Sequence, residues 1–304
     1  MRCLRSIVAF AVVTLLAVHA APAPVPGQST FTADRYVESV AGNLPIVLTA
    51  PHGGALKPDS IANRKEGVLG ADLKTLELAR ALAAELFART GRHPALVASH
   101  LHRSKLDPNR EIKEAAQGDP IAESAWRDFH AAIHAALDAT VARHGFAFLI
   151  DLHGHSHPIA RLELGYALDS AQLNRSDATF DASGLIALST LRDLHARSGP
   201  ALAPSALIRG PRSLGALYQA AGLRAIPSPQ EPQPGANPFF AGGYIVRTYA
   251  AAPDTPKVDG LQIETYRIGV RDTSENRARF ARLTADVLTP FLREHYAFDL
   301  AAKK

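Results

Sequence analysis

Short apolar runs alternate along the chain with longer segments in which apolar residues recur every three or four positions. Runs bounded by glycine, proline or polar residues are typical of strands, and the longer periodic segments are typical of amphipathic helices. The predicted strands cover residues 44–50, 94–101, 146–152, 243–249 and 260–265. The predicted helices cover residues 70–89, 121–143, 184–197 and 274–296.

This alternation predicts an α/β fold, a single domain built on a mainly parallel mixed sheet with helices on both faces. The runs before His52 and His153 are largely apolar, as expected for strands that are buried on both faces. In such sheets functional groups collect at the carboxyl edge of the strands. Polar residues end three of the predicted strands, in the segments 51–54 (PHGG), 151–155 (DLHGH) and 262–264 (QIE).

Histidines at these strand ends are candidate metal ligands. His52 precedes two glycines, and it either binds a metal or is a turn histidine that hydrogen-bonds to the backbone. His153, His155 and His157 alternate along the chain, so they would point to one side if the strand continued. They either contribute metal ligands or form a solvated loop. Asp151 could orient a ligating imidazole.

Acidic and cationic candidates also have two interpretations each. Asp72 lies near the start of a predicted helix, where it is either a cap or a ligand. Glu264 ends a predicted strand and either transfers protons or faces water. A cationic stretch follows the second strand and contains Arg103, Lys105, Asn109 and Arg110. It is either a solvated loop or a clamp, because guanidinium binds carboxylate through two parallel hydrogen bonds.

Composition and motifs narrow the classes of function. The 304 residues carry 33 Lys and Arg against 29 Asp and Glu, a net charge of +4, without a basic block that would indicate nucleic-acid binding. The sequence contains no Gly-x-Ser-x-Gly segment and no glycine-rich phosphate loop. Serine hydrolysis and nucleotide-dependent chemistry therefore have little support.

The first twenty residues are typical of a signal peptide. Arg2 and Arg5 precede an apolar run at 7–18, and residues 18–20 (VHA) form a cleavage pattern. This run is shorter than the roughly 20 residues of a membrane span, although a retained anchor is the alternative. We expect residues 21–30 to be a linker, residues 31–304 to be the catalytic domain, and the protein to be periplasmic or secreted. Cys3, the only cysteine, would be removed.

Four segments, in this order, resemble the N-formylglutamate amidohydrolase family, whose fold is similar to that of zinc carboxypeptidases. The segments 51–54 (PHGG), 106–110 (LDPNR) and 151–153 (DLH) resemble the family's Pro-His-Ser-Gly, Asp-x-Asn-Arg and Asp-x-His. The stretch 237–264 resembles its Gly-Gly-Tyr segment followed by Gln-x-Glu. Together these segments span roughly residues 44–271.

The resemblance implies one bound zinc ion. It assigns His52 and His153 as zinc ligands and Glu264 as the general base and acid. Asn109 and Arg110 match the pair that binds a substrate carboxylate in those enzymes.

The third zinc ligand departs from the carboxypeptidase pattern. Zinc carboxypeptidases use a glutamate three residues after the first histidine, but Ala55 stands at that position here. Asp72 is the predicted replacement, with Asp59 and Glu66 as alternatives.

The sequence therefore predicts an exported zinc-dependent amidohydrolase that cleaves an amide bond in a substrate carrying a carboxylate. Arg103 or Arg247 would stabilise the oxyanion. N-formylglutamate arises in cytoplasmic histidine breakdown, so export favours N-acyl amino acids, peptides with a free carboxylate, or γ-glutamyl material.

Two other classes of function stay open. One is a metal-dependent esterase or phosphoesterase, with a second ion bound by His155, His157 and Asp151. The other is a non-catalytic exported protein that captures a metal or a carboxylate. No nucleic acid, no protein partner and no membrane span in the mature chain are predicted.

Overall fold

One mixed sheet of eight strands organises the computed structural model, which describes residues 24–301. The predicted signal peptide, residues 1–20, lies outside the described residues. The strand order is β1-β2-β4-β3-β5-β8-β6-β7. The strands are β1 (Ser29–Phe31), β2 (Val37–Val40), β3 (Ile46–Ala50), β4 (Ala95–Ser99), β5 (Ala147–Gly154), β6 (Leu162–Gly165), β7 (Ala225–Ile226) and β8 (Val258–Thr265).

Three long helices and several short ones surround this sheet. The long helices are α1 (Thr75–Thr90), α3 (Pro120–His144) and α10 (Ser274–Tyr296). The short ones are α2 (Ile112–Ala116), α4 (Ser170–Leu173), α5 (Asp177–Ala182), α6 (Arg192–Ser198), α7 (Pro204–Arg209), α8 (Leu214–Ala220) and α9 (Tyr244–Val246). A 3-10 turn (Leu185–Leu188) and two π turns (Arg247–Ala251 and Arg267–Arg271) complete the set. Within residues 24–301, no helix has the length and apolar character to span a membrane.

The four central strands, β4, β3, β5 and β8, run parallel, so their carboxyl ends share one edge of the sheet. The register places His153 of β5 beside Glu264 of β8. On the other side of β8, Glu163 of the antiparallel strand β6 lies opposite Glu264. Strand pairing alone therefore brings three of the site's polar side chains into one row.

Hydrophobic packing covers both faces of the sheet. Leu48 and Ile150 belong to the core that contains the buried sides of α1 and α10. The alternate residues Val47 and Leu149 pack in a second core with Phe129 of α3. Successive residues of a strand point to opposite faces, which is why residues 46–48 of β3 and 147–150 of β5 are all apolar. The predicted α/β fold, a mainly parallel mixed sheet with helices on both faces, is confirmed.

Two predicted elements are wrong, and tertiary contacts explain both. Residues 243–249 form α9 and a π turn rather than a strand, and the backbone N–H of Ile245 donates to Asn109 Oδ1 at 2.8 Å. The predicted helix 184–197 is interrupted because the backbone of Thr190 bonds to Tyr166 and to Gly260 of β8. In addition, β1 begins at Ser29, so the last two residues of the predicted linker, 21–30, pair with β2.

A hydrogen bond from His130 connects α3 to the loop that carries Asn109 and Arg110. Its Nε2 donates to the carbonyl of Pro108 at 3.0 Å, and its Nδ1 pairs with the hydroxyl of Tyr249 at 2.8 Å. Burial lowers the pKa of His130 to about 4, because a charged imidazole would be poorly solvated there. The neutral ring is therefore the form that holds the loop.

We expect His130→Gln to weaken the acid sensitivity of the fold. The usual histidine pKa is about 6.5, so His130 stabilises fully above that pH and loses its contribution as pH falls towards 4. The difference amounts to at most about 3 kcal/mol. Urea unfolding at pH 7 and pH 4.5 should show the wild type losing more stability than His130→Gln. Equal losses in both proteins would contradict this account.

Candidate active site

Three buried side chains meet at the carboxyl edge of the parallel strands. His52 follows β3, His153 lies near the end of β5, and Asp72 lies in the loop before α1. Asp72 Oδ2 is 3.3 Å from Nδ1 of His52 and 3.1 Å from Nδ1 of His153. The backbone N–H of Asp72 donates to the carbonyl of His52 at 3.0 Å. This bond holds the Asp72 loop against the end of β3.

A second carboxylate orients each imidazole from behind. His52 Nε2 lies 2.6 Å from Asp107 Oδ1, and His153 Nε2 lies 2.8 Å from Asp151 Oδ2. Donation of each Nε2–H to a carboxylate places Nδ1 on the side of Asp72, where its lone pair would be available to a bound ion. Histidine ligands of metal ions are oriented in this way by carboxylates.

The donor set fits a metal ion with nitrogen and oxygen ligands. Ligand atoms about 2.0–2.2 Å from a tetrahedral metal lie about 3.3 Å from one another, close to the separations between Asp72 Oδ2 and the two Nδ1 atoms. Burial disfavours the charged forms of Asp72 and His153. The two histidines nevertheless hold the pKa of Asp72 well below its usual range. Likewise Asp151 and Asp72 raise the pKa of His153 well above its usual value, against the effect of burial. The site therefore attracts positive charge.

The structure brings Asp72, rather than Asp59 or Glu66, to the two histidines. Both alternatives are exposed, and neither lies in the group of potential ligands that Asp72 forms with His52 and His153. The aspartate accepts a further bond at Oδ2 from the backbone N–H of Gly154, at 3.1 Å.

Glu264 lies beside this group in a cavity of about 550 Å³. Its Oε1 accepts a hydrogen bond from Gln262 at 2.9 Å, whereas its Oε2 is buried without a partner. Burial raises the pKa of Glu264 to about 8, and the negative charges of nearby carboxylates add to this effect. A buried carboxyl group with a free oxygen and a pKa near neutrality is suited to accepting and returning a proton.

Of the residues to which the sequence assigns a ligand, catalytic or substrate-binding role, Arg247 does not line the cavity; those that do are His52, Asp72, Arg103, Asn109, Arg110, His153 and Glu264. Arg247 is exposed and donates from Nε to the carbonyl of Gly242 at 3.1 Å. It belongs to a π turn, whereas the predicted strand would have placed it at the sheet edge. Arg103 reaches the cavity and pairs with Asp107 at 2.9 Å and Asp72 at 3.4 Å.

Asn109 and Arg110, predicted as a pair, are used differently. Asn109 is buried, and its Nδ2 donates to Gln262 Oε1 at 3.3 Å while its Oδ1 accepts from Ile245. Arg110 is about one-third exposed at the cavity wall, where its Nε pairs with Glu114 at 3.0 Å. Arg110 is thus the member of the pair that is accessible to a ligand.

His155 and His157 form a second group, but with Glu163 rather than Asp151. His157 Nδ1 lies 3.0 Å from Glu163 Oε1, and His155 Nε2 donates to the carbonyl of Arg161 at 2.8 Å. Asp151 is occupied by His153 and by the hydroxyl of Thr49 at 2.6 Å. The predicted second ion site with Asp151 is therefore not assembled in the structure.

Sequence reasoning missed four residues that shape the site. Asp107 and Gln262 lie within the motif segments 106–110 and 262–264, so those segments contained the signal for them. Glu163 comes from the four-residue strand β6, which was too short to be predicted. Arg271 lines the cavity but lies in none of the four motif segments, and nothing in the local sequence indicated that it would reach the site.

Comparisons with known proteins agree with this architecture. A family model described as N-formylglutamate amidohydrolase matches residues 114–270. Gene product Atu2144 from Agrobacterium tumefaciens has a similar solved structure, with 16% identity and a TM-score of 0.52 over 87% of this chain and 97% of that chain. N-formylglutamate amidohydrolase from Ralstonia eutropha JMP134 has 17% identity and a TM-score of 0.47, over 86% and 97%. None of the curated proteins compared with the chain matches it.

We expect Glu264→Gln to stabilise the metal-free protein increasingly as pH rises from 5 to 8. The pKa of Glu264 is raised from a usual value of about 4.3, so its contribution is fully present at low pH and is lost towards pH 8. Thermal unfolding in chelator measures the difference. Glu66→Gln, which removes an exposed carboxylate, is the control and should show no such gain. A pH-independent difference for Glu264→Gln would refute this expectation.

Proposed function

The chain belongs to the N-formylglutamate amidohydrolase family, whose model matches just over half of it, and from that premise we propose that it is an exported zinc-dependent amidohydrolase. Its substrate is a small amide that carries a carboxylate. One observation carries the proposal: the shared Asp72 oxygen between two oriented imidazoles lies in the same cavity as the unpartnered oxygen of Glu264.

Zinc is the proposed ion because its catalytic sites use three histidine or carboxylate ligands and keep one position open. His52, His153 and Asp72 would hold it, and Asp107 and Asp151 would orient the two imidazoles. When bound, zinc supplies Lewis-acid activation of water and of the amide carbonyl.

Glu264 is the proposed proton-transfer group. Its free Oε2 takes a proton from the attacking water and then gives it to the leaving nitrogen. The hydrogen bond from Gln262 to Oε1 restrains the carboxyl group while Oε2 stays available. Register with His153 keeps the carboxyl group next to the ligand set.

Two arginines have distinct proposed roles. Arg103, fixed by Asp107 and Asp72, presents a positive charge to the cavity where the oxyanion develops. Arg110 exchanges Glu114 for the substrate carboxylate, which orients the amide bond. Asn109 holds the backbone of Ile245 and the side chain of Gln262, so it supports the wall of the cavity.

The N-terminal pattern at residues 1–20 is typical of a signal peptide and therefore favours a periplasmic or secreted protein. The substrate is then an N-acyl amino acid, a peptide with a free carboxylate, or γ-glutamyl material. The exposed position of Arg110 at the cavity wall supports recognition of a carboxylate at the entrance.

We expect the purified protein to bind about one zinc per chain. His153→Ala removes a ligand and should lose the ion, whereas Glu264→Gln should retain zinc and lose turnover of N-acyl amino acids by at least about 100-fold. Elemental analysis and an amine-release assay measure the two effects. Stoichiometric zinc in His153→Ala would refute the ligand assignment, and full turnover in Glu264→Gln would refute the role of Glu264.

Arg110→Ala should raise KM for a substrate with a free carboxylate about 10-fold or more, because a charge-assisted hydrogen bond is lost. The methyl ester of the same substrate should be affected far less. Arg247→Ala changes an exposed arginine outside the cavity and serves as the matched control, with KM unchanged for both substrates. Equal effects of Arg110→Ala on acid and ester would exclude a carboxylate clamp.

A further inference from the structure

Arg271 ends the kinked turn between β8 and α10, and its guanidinium is buried in the cavity wall. Three hydrogen bonds from this guanidinium go to main-chain carbonyls. Nε donates to Thr265 at 3.2 Å, one terminal nitrogen donates to Leu73 at 2.5 Å, and the other donates to His155 at 3.2 Å. The turn can present the side chain in this way because Gly269 adopts a left-handed φ of 88°.

Each of these carbonyls lies one or two positions along the chain from a residue of the proposed active site. Leu73 directly follows Asp72, Thr265 directly follows Glu264, and His155 lies two residues beyond His153. The three belong to separate parts of the chain, namely the loop before α1, the end of β8 and the segment after β5. A planar guanidinium with fixed donor directions therefore links the backbones that carry two ligands and the proton-transfer group.

Gly154 makes room for this link. A Cβ atom on Gly154 would lie 2.3 Å from Arg271 Cζ, so any larger residue would displace the guanidinium. The backbone of Gly154 is not left-handed, so the requirement for glycine comes from this close approach rather than from its φ angle. The backbone N–H of Gly154 also donates to Asp72 Oδ2, which places the contact beside the shared ligand oxygen.

We propose that Arg271 is a positioning residue that sets Asp72, His153 and Glu264 at the mutual distances required for metal binding and proton transfer. This inference rests on the proposed function. The positive charge of Arg271 also attracts the carboxylates of Asp72 and Glu264. If Arg271 only stabilised the fold, zinc affinity would not depend on the directions of its N–H donors.

The test measures zinc affinity by competition with a chelator, alongside thermal unfolding of the metal-free protein. Arg271→Met should weaken zinc binding about 10- to 100-fold, the range typical of groups that support metal ligands. It should also lower kcat more than it changes KM. Arg271→Lys keeps the charge but carries all its donors on one nitrogen, which cannot reach three separate carbonyls, so it should restore little of the affinity.

Arg209→Met is the matched control. Arg209 is also a buried arginine that donates to three main-chain carbonyls, but it lies in α7 and does not line the cavity. This variant should lower the unfolding temperature and leave zinc affinity unchanged within a factor of about three.

Gly154→Ala tests the same contact without altering Arg271. It should weaken zinc binding strongly in the wild type and add little in an Arg271→Ala background, because the clash is then gone. If Arg271→Met does not fold, Arg271→Lys and Gly154→Ala decide the question. Wild-type zinc affinity in the folded Arg271 variants would overturn this inference and leave the proposed function intact. A wild type that binds no zinc would overturn both.

Discussion

The candidate active site depends on one buried carboxylate oxygen shared by two imidazoles. Asp72 Oδ2 lies within 3.3 Å of Nδ1 of His52 and of His153, and it also accepts the backbone N–H of Gly154. Such an oxygen is poorly solvated, so it requires compensating positive charge. The strand order, the loop before α1 and the carboxylates behind each histidine all act to hold this group together.

Among the buried carboxylates of the site, Glu264 has the least compensation for its burial. Asp107 is compensated by Arg103 and His52, and these partners lower its pKa although burial opposes them. Glu163 has His157 and a nearby Arg161. One oxygen of Glu264 accepts a hydrogen bond from the neutral amide of Gln262, and the other oxygen has no partner. Burial without a compensating charge on either oxygen raises the pKa of Glu264. Groups with raised pKa values of this kind are typical of sites that transfer protons.

The central strands could be predicted because burial on both faces leaves a largely apolar run, as in residues 46–48 of β3 and 147–150 of β5. Parallel pairing then brought His52, His153 and Glu264 to one edge, as expected. The prediction failed at residues 243–249, where Asn109 holds Ile245 in a helical turn. It also missed Glu163 and Arg271, which reach the site through contacts between distant parts of the chain. The local pattern of apolar and polar residues cannot predict such contacts.

The position of Asp72, the proposed third ligand, explains why these distant contacts are needed. In zinc carboxypeptidases the corresponding glutamate lies three residues after the first histidine, so the short connection fixes its distance. Here Ala55 occupies that position and Asp72 lies twenty residues after His52, at the end of a long loop. A connection of that length fixes little by itself, because loop closure leaves many conformations. The bond from Asp72 N–H to the carbonyl of His52 and the bond from Arg271 to the carbonyl of Leu73 supply the missing restraint on Asp72.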